Sequence, residues 1–194
     1  MGAGKRARGA KAKREPLDAA ALYEHAVKLL AARMRTVSAL EKLLKRRAAE
    51  GPLGEANVKT VLRRLTEQNY LNDERYAEYY TRLRQENERH GRRRVAQDLM
   101  HQGIQSETMK RALEKAYAGV DELALCRAHM ERKRMKAPKD ERETARMVGR
   151  LLRAGFGAGV IYKALKQWRV EDGLLEGIEA IEAEQSAAGG EDEA

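Results

Sequence analysis

The sequence is short of the residues that make stapled or metal-bound folds. Cys126 is the only cysteine among 194 residues, so neither an intramolecular disulfide nor a cysteine-based zinc site can form. Its expected role is a small, buried apolar residue on a helix. Aromatic residues make up 5% of the chain, with one Trp and one Phe, so a core must come from Leu, Ala, Val and Ile. No apolar run approaches the ~18 residues of a membrane span. The basic N-terminus lacks the apolar stretch of a signal peptide. These absences predict a reduced, cytoplasmic protein with no membrane partner.

Charge is what the sequence has in abundance. Charged residues account for 36%, and 39 Lys and Arg against 30 Asp and Glu leave a net +9. The dominant Ala, Leu, Arg, Lys and Glu favour helix over sheet. The positive balance suits a polyanionic partner, nucleic acid or an acidic protein surface, against the alternative of a merely soluble helical exterior. The ends are polarised. Residues 1–14 carry Lys5, Arg6, Arg8, Lys11, Lys13 and Arg14 without an acid. The last stretch carries Glu179, Glu182, Glu184, Glu191, Asp192 and Glu193 without a base. A disordered basic arm over 1–17 and an acidic tail over 173–194 are expected.

Between the ends, apolar residues recur every three or four positions, as in Leu22, Ala26, Leu29, Leu30 and in Leu40, Leu43, Leu44. No segment alternates as a strand would. Pro16, Pro52 and Pro138 mark boundaries that helices should avoid. Asn72, Asp140 (with Glu143), Thr36 and Ser106 are candidate N-caps. Leu71 and Tyr76 are placed for a hydrophobic staple. Gly91, Gly103 and Gly155 suit helix C-terminal turns.

An internal repeat organises these signals. With Leu44, Leu99 and Leu151 in register, Leu40 matches Val95 and Met147, and Gly103 matches Gly155. Ile104 then aligns with Phe156, Met109 with Ile161, Ala112-Leu113 with Ala164-Leu165, and Ala116 with Trp168. The first unit joins the register, with Val58, Val61, Leu62 and Leu65, if an insertion is placed around Gly51-Pro52. A further helix precedes each block. The predicted fold is all-α, an elongated array of three tandem three-helix repeats over residues 18–71, 72–119 and 120–172. One unit alone would bury too little apolar surface to be stable, and three in a row can bury their faces against one another.

The run Leu71-Asn72-Asp73-Glu74-Arg75-Tyr76-Ala77, followed by Arg92-Arg93-Arg94-Val95-Ala96-Gln97-Asp98-Leu99 and the turn at Gly103-Ile104, resembles the most characteristic motif of the RecX family. Leu40-Glu41-Lys42-Leu43-Leu44-Lys45-Arg46 is similar to that family's first-repeat helix. Here Arg47-Ala48-Ala49-Glu50-Gly51 and an inserted loop replace the family's tight glycine turn. The resemblance spans about residues 19–170. It implies binding to RecA filaments along the filament groove, and inhibition of strand exchange, ATP hydrolysis and co-protease activity. The expected partners are the RecA filament and, through the basic residues, single- or double-stranded DNA, with the chain acting as a monomer.

The densest cationic cluster is Arg82, Arg84, Arg89, Arg92, Arg93 and Arg94. Arg82 and Arg89, seven apart, would share a helical face. Three arginines opening a helix oppose its dipole, so a phosphate or acidic partner would offset their placement. The alternative is local neutralisation by Glu86, Glu88 and Asp98. Lys42, Lys45 and Arg46, and Arg132, Lys133 and Arg134, end predicted helices, where cations suit the dipole; they are secondary candidates. Tyr76 and Tyr80 share a face whose spacing favours core packing over base stacking.

No catalytic constellation is visible, and no cofactor or metal is expected. His25, His90, His101 and His129 are far apart in sequence and read as structural. Gly155-Phe156-Gly157-Ala158-Gly159 lacks the Gly-Lys-Ser/Thr of a phosphate loop and reads as a helix-to-helix turn. Two functions remain: a modulator of recombinase filaments, and a stand-alone DNA-binding protein acting through its arginines.

Overall fold

Four short polar side chains set where helices begin. The amides of Ala21, Ala39, Leu123 and Glu143 donate to Asp18 Oδ1 (2.8 Å), Thr36 Oγ1 (3.0 Å), Asp121 Oδ1 (2.9 Å) and Asp140 Oδ1 (2.7 Å). Each such cap satisfies an amide that no helical turn can reach and contributes about 1 kcal/mol. At Asp140 the reciprocal carboxylate, Glu143, accepts from the Lys139 amide at 2.9 Å.

The computed structural model describes residues 15–168. Within them lie α1 (Ala19–Ala32), α2 (Val37–Lys45), α3 (Pro52–Glu67), α4 (Asp73–Glu86), α5 (Arg92–His101), α6 (Ser106–Tyr117), α7 (Glu122–Arg132), α8 (Glu141–Arg153) and α9 (Ala158–Lys166). The described residues form no strand, only an isolated bridge between Leu17 and Ala48. The fold is all-helical, with helices in tandem triplets, as the repeat predicts. The basic arm through residue 14 and the acidic tail lie outside the described residues.

Two compact units part between Asn72 and Asp73. In the first, α1 and α2 both pack on α3, around Leu22, Leu40, Leu44 and Leu65, all fully buried. Burying one such leucine stabilises by roughly 2–3 kcal/mol. Leu71 joins this core, whereas Tyr76 packs with the α4–α6 residues, so the two sit in different clusters. Pro52 occupies the first turn of α3, where its missing amide costs nothing.

The second unit holds two triplets. In one, α4 and α5 pack on α6 around Ala77, Val95, Leu99, Ile104 and Leu113. In the other, α7 and α8 pack on α9 around Cys126, Leu151, Phe156, Ile161 and Leu165. The aligned repeat leucines, Leu44, Leu99 and Leu151, are all fully buried. Cys126 is an apolar core residue on α7, its thiol pushed up to about 12 by burial. Ser106 is the first residue of α6 and Gln105 its cap position, with no side-chain bond.

The glycines divide by function. Gly103 and Gly155 have positive φ (74° and 93°), as helix-ending glycines should. Gly91 does not: its φ is −70°. The left-handed residue after α4 is Arg89, at φ 55°. Gly91 serves close approach instead. Its amide donates to Ala154 O at 2.8 Å, and a Cβ there would lie 2.2 Å from Gly155 O. A Cβ on Gly155 would lie 2.4 Å from the Arg94 amide nitrogen. The two triplets thus meet backbone to backbone, where no side chain fits.

Trp168, the single tryptophan, packs against the core of α7–α9 and reports on this unit. Gly91→Ala is expected to lower the denaturation midpoint read by its fluorescence, costing about 2 kcal/mol or more through steric displacement. Gly51→Ala, strained at φ 93° but with nothing near its Cβ, should leave the Trp168 transition unchanged. Equal effects would show that close packing at Gly91 is unimportant.

Candidate functional site

The arginine-rich segment is built on the α4–α5 corner, and the structure divides its six arginines by role. Arg84 ion-pairs with Glu88, and its guanidinium lies 4.8 Å from the centroid of the Tyr80 ring. Tyr80 donates its hydroxyl to Asp98 Oδ2 at 3.1 Å, and Arg94 Nε sits 3.1 Å from Asp98 Oδ1. A continuous chain, Glu88–Arg84–Tyr80–Asp98–Arg94, therefore ties α4 to α5. Arg84 and Arg94 are partly buried in it, and the expected neutralisation by Glu88 and Asp98 applies to these two.

Arg82, Arg89, Arg92 and Arg93 are exposed. Arg89 does not share the α4 face with Arg82, because α4 ends at Glu86 and Arg89 turns left-handed beyond it. Arg92 and Arg93 open α5, whose first turn contains no acid and whose cap, Gly91, offers no side-chain acceptor. Cations at that positive helix end cost about 0.3–1 kcal/mol each at low salt. Arg82 instead borders a hollow between α4 and α6 shared with Arg75, Tyr79 and Lys115. Tyr76 and Tyr80 stack with centroids 5.8 Å apart and pack on the core, as their spacing predicts. Tyr79 stays 48% exposed.

The secondary clusters end helices. Lys42, Lys45 and Arg46 close α2 in the first unit, with Lys45 paired to Glu41 at 2.8 Å. Arg132, Lys133 and Arg134 close α7, and all three are exposed. Arg134 takes the left-handed turn at φ 49°.

The fold also gathers residues that sequence spacing kept apart. The rings of His90 and His129 lie 5.7 Å apart, and His129 meets Phe156 edge-on at 5.6 Å. His129 Nδ1 lies 3.1 Å from Glu88 O, and Tyr117 donates its hydroxyl to His90 O at 2.8 Å. The His129 contact and the Gly91 amide bond hold the α4–α5 connection against the third triplet, and Tyr117 ties the same connection to α6. Burial keeps both imidazoles below their ordinary value of 6.5, with Glu88 opposing it at His90. Arg150 and Arg153 on α8 were not singled out by sequence, yet they lie beside Arg94 and Lys133. Only the fold reveals this, since α8 is distant along the chain. Among the described residues no cluster of His, Cys, Asp and Glu could hold a metal ion, and no helix is long and apolar enough to cross a membrane.

Comparison with known proteins places this architecture. Residues 72–113, comprising α4, α5 and most of α6, match the family description "RecX, second three-helix domain". A protein of Mycolicibacterium vanbaalenii named Regulatory protein RecX is 34% identical over 137 residues, covering 67% of this chain and 72% of the relative. The chain belongs to the RecX family. A Regulatory protein RecX of Halorhodospira halophila is 35% identical over 145 residues, covering 74% of this chain and 86% of that one. The crystal structure of RecX from Lactobacillus salivarius superposes with a TM-score of 0.61 at 20% identity, covering 78% of this chain and 97% of that one. A second RecX crystal structure gives 0.62 at 24% identity, covering 77% and 71%. Among the arginines of the RecX-matched stretch are both the structural pair, Arg84 and Arg94, and the exposed Arg82, Arg89, Arg92 and Arg93.

The buried histidines make a pH prediction. An unfolded imidazole takes up its proton near 6.5, whereas the folded ones resist it. The unfolded state then binds more protons as pH falls, so this contribution is complete above 6.5 and is lost on acidification below it. The Trp168 unfolding midpoint should drop between about pH 7.5 and 5.5, and His129→Gln, which cannot titrate, should show a smaller drop. A midpoint that is flat in both proteins would contradict the assignment.

Proposed function

We propose that this chain is a negative modulator of RecA recombinase. It binds the RecA–DNA filament, in its groove, and inhibits ATP hydrolysis, strand exchange and co-protease activity. Membership of the RecX family supports this reading, as does the name its relatives share, Regulatory protein. The observation that carries it is the α5 N-terminus. There Arg92 and Arg93 stand exposed on the wrong end of a helix dipole with no acid in the first turn. An acidic protein surface or a nucleic-acid phosphate offsets that cost when it docks, since arginine binds either through two parallel hydrogen bonds.

The chain acts by binding, without catalysis, cofactor or metal, as a cytoplasmic monomer. Its repeats correspond to residues 18–71, 72–119 and 120–172. Arg82, Arg89, Arg92 and Arg93 form the primary contact, with Lys42, Lys45, Arg46, Arg132, Lys133 and Arg134 adding to it. Arg84 and Arg94 position α4 against α5.

The same exposed arginines favour a second reading, direct DNA binding without a recombinase. Salt separates the two. Binding through phosphates falls by about 0.9 log units per log unit of salt for each duplex phosphate neutralised. A filament-directed inhibitor keeps its effect at salt that abolishes binding to bare DNA. Added to recombinase filaments preassembled on single-stranded DNA, the protein should suppress ATP hydrolysis at or below equimolar ratio. Arg89→Ala/Arg92→Ala/Arg93→Ala should weaken that suppression about tenfold with helicity unchanged. Filaments that hydrolyse ATP undisturbed by the wild-type protein would end the proposal.

A further inference from the structure

The second unit contains a cleft, about 430 Å³ in volume, between the start of α5, the end of α7 and the last turns of α8. Its wall carries Arg94, Lys133, Arg150 and Arg153, together with His90 and His129, and no acid among the described residues. Lys133, Arg150 and Arg153 are exposed, and none forms an ion pair with another described residue. The nearest carboxylates are already engaged: Glu88 with Arg84 and His90, Asp98 with Arg94 and Tyr80. His90 Nδ1 is buried and has no hydrogen-bond partner among the described residues.

Helix dipoles account for part of this charge and leave the rest. Lys133 caps the C-terminus of α7, and Arg150 and Arg153 lie in the last turn of α8, where cations are favoured. Arg94 comes from the opposite kind of end, the first turn of α5. Like charges from three helices converge on one hollow whose position is fixed by the Gly91–Gly155 contact immediately behind it. Arg94 is already paired with Asp98, so a single carboxylate would neutralise one of the three remaining cations, Lys133, Arg150 and Arg153, and fill little of the space. A phosphate brings more acceptor oxygens for the arginine forks, and a cleft of this size has room for the sugar attached to it.

We propose that this cleft is a phosphate-binding site that takes one phosphate group of a nucleotide. Arg150 and Arg153 grip it from α8, and Lys133 meets it from the end of α7, while Arg94, held by Asp98, adds its charge to the wall. The site shares Lys133 with the secondary docking residues but none of the primary arginines, and it does not depend on the recombinase reading. The nucleotide is either a unit of a polynucleotide or free.

Fluorescence anisotropy with a labelled short oligothymidylate at low salt, using the full chain, tests the site. Arg150→Gln/Arg153→Gln should weaken binding about tenfold. Lys163→Gln/Lys166→Gln removes the same charge from exposed positions on α9 outside the cleft, and should have an effect of threefold or less by about the same reckoning. Both pairs are exposed, so circular dichroism should show unchanged helicity. Competition then identifies the source. Displacement of the oligomer by ADP marks a free-nucleotide site, and resistance to ADP marks a polynucleotide site. Equal losses in the two variants would overturn the proposal by showing a diffuse charge effect. So would polyglutamate binding as tightly as the oligomer with the same dependence on Arg150 and Arg153.

Discussion

The second unit depends on a place where two backbones touch. Gly91 and Gly155 approach so closely that a β-carbon on either would collide with the main chain of the other segment, and the Gly91 amide closes the contact by donating to Ala154 O. Each triplet alone is small for a stable core. The crossing lets the residues around it, His90, His129, Tyr117 and Phe156, seal the junction with ring packing and hydrogen bonds to otherwise open carbonyls. Glu88 O and His90 O, both part-buried, are thereby paired, which matters beyond packing area because a carbonyl cut off from water and left unpaired costs up to about 1–3 kcal/mol.

From that junction follows the division of labour among the arginines. The corner between α4 and α5 is pinned, so Arg84 and Arg94 settle into a fixed hydrogen-bonded chain through Tyr80 and Asp98. Arg89, Arg92 and Arg93 sit on the outside of the same corner and stay exposed. A corner ordered in advance, with cations exposed on its outside, lowers the cost of ordering on binding, which fits the proposed docking role.

Much of this was legible in the sequence, for identifiable reasons. The helices, the caps at Thr36 and Asp140 and the repeat register of Leu44, Leu99 and Leu151 depend on local spacing, which a sequence displays directly. The role of Gly91 was not legible. A glycine after a helix reads as its terminating turn, yet Arg89 takes the left-handed conformation two residues earlier. The reason for Gly91 lies in Gly155, on another triplet. The pairing of His90 with His129, and the gathering of Arg150 and Arg153 beside Arg94 and Lys133, were hidden likewise. Such contacts arise from how triplets stack, and no local pattern encodes them.

The junction can be interrogated at the atom that forms it. Amide hydrogen exchange, followed by NMR, reads the Gly91 N–H individually. If the two triplets are held by this crossing, the Gly91 amide should exchange as slowly as the core amides of Leu99 and Ile161, opening only when the unit unfolds. Exchange at the rate of an exposed loop amide, with Leu99 and Ile161 still protected, would contradict the account and show that the triplets separate freely at this contact.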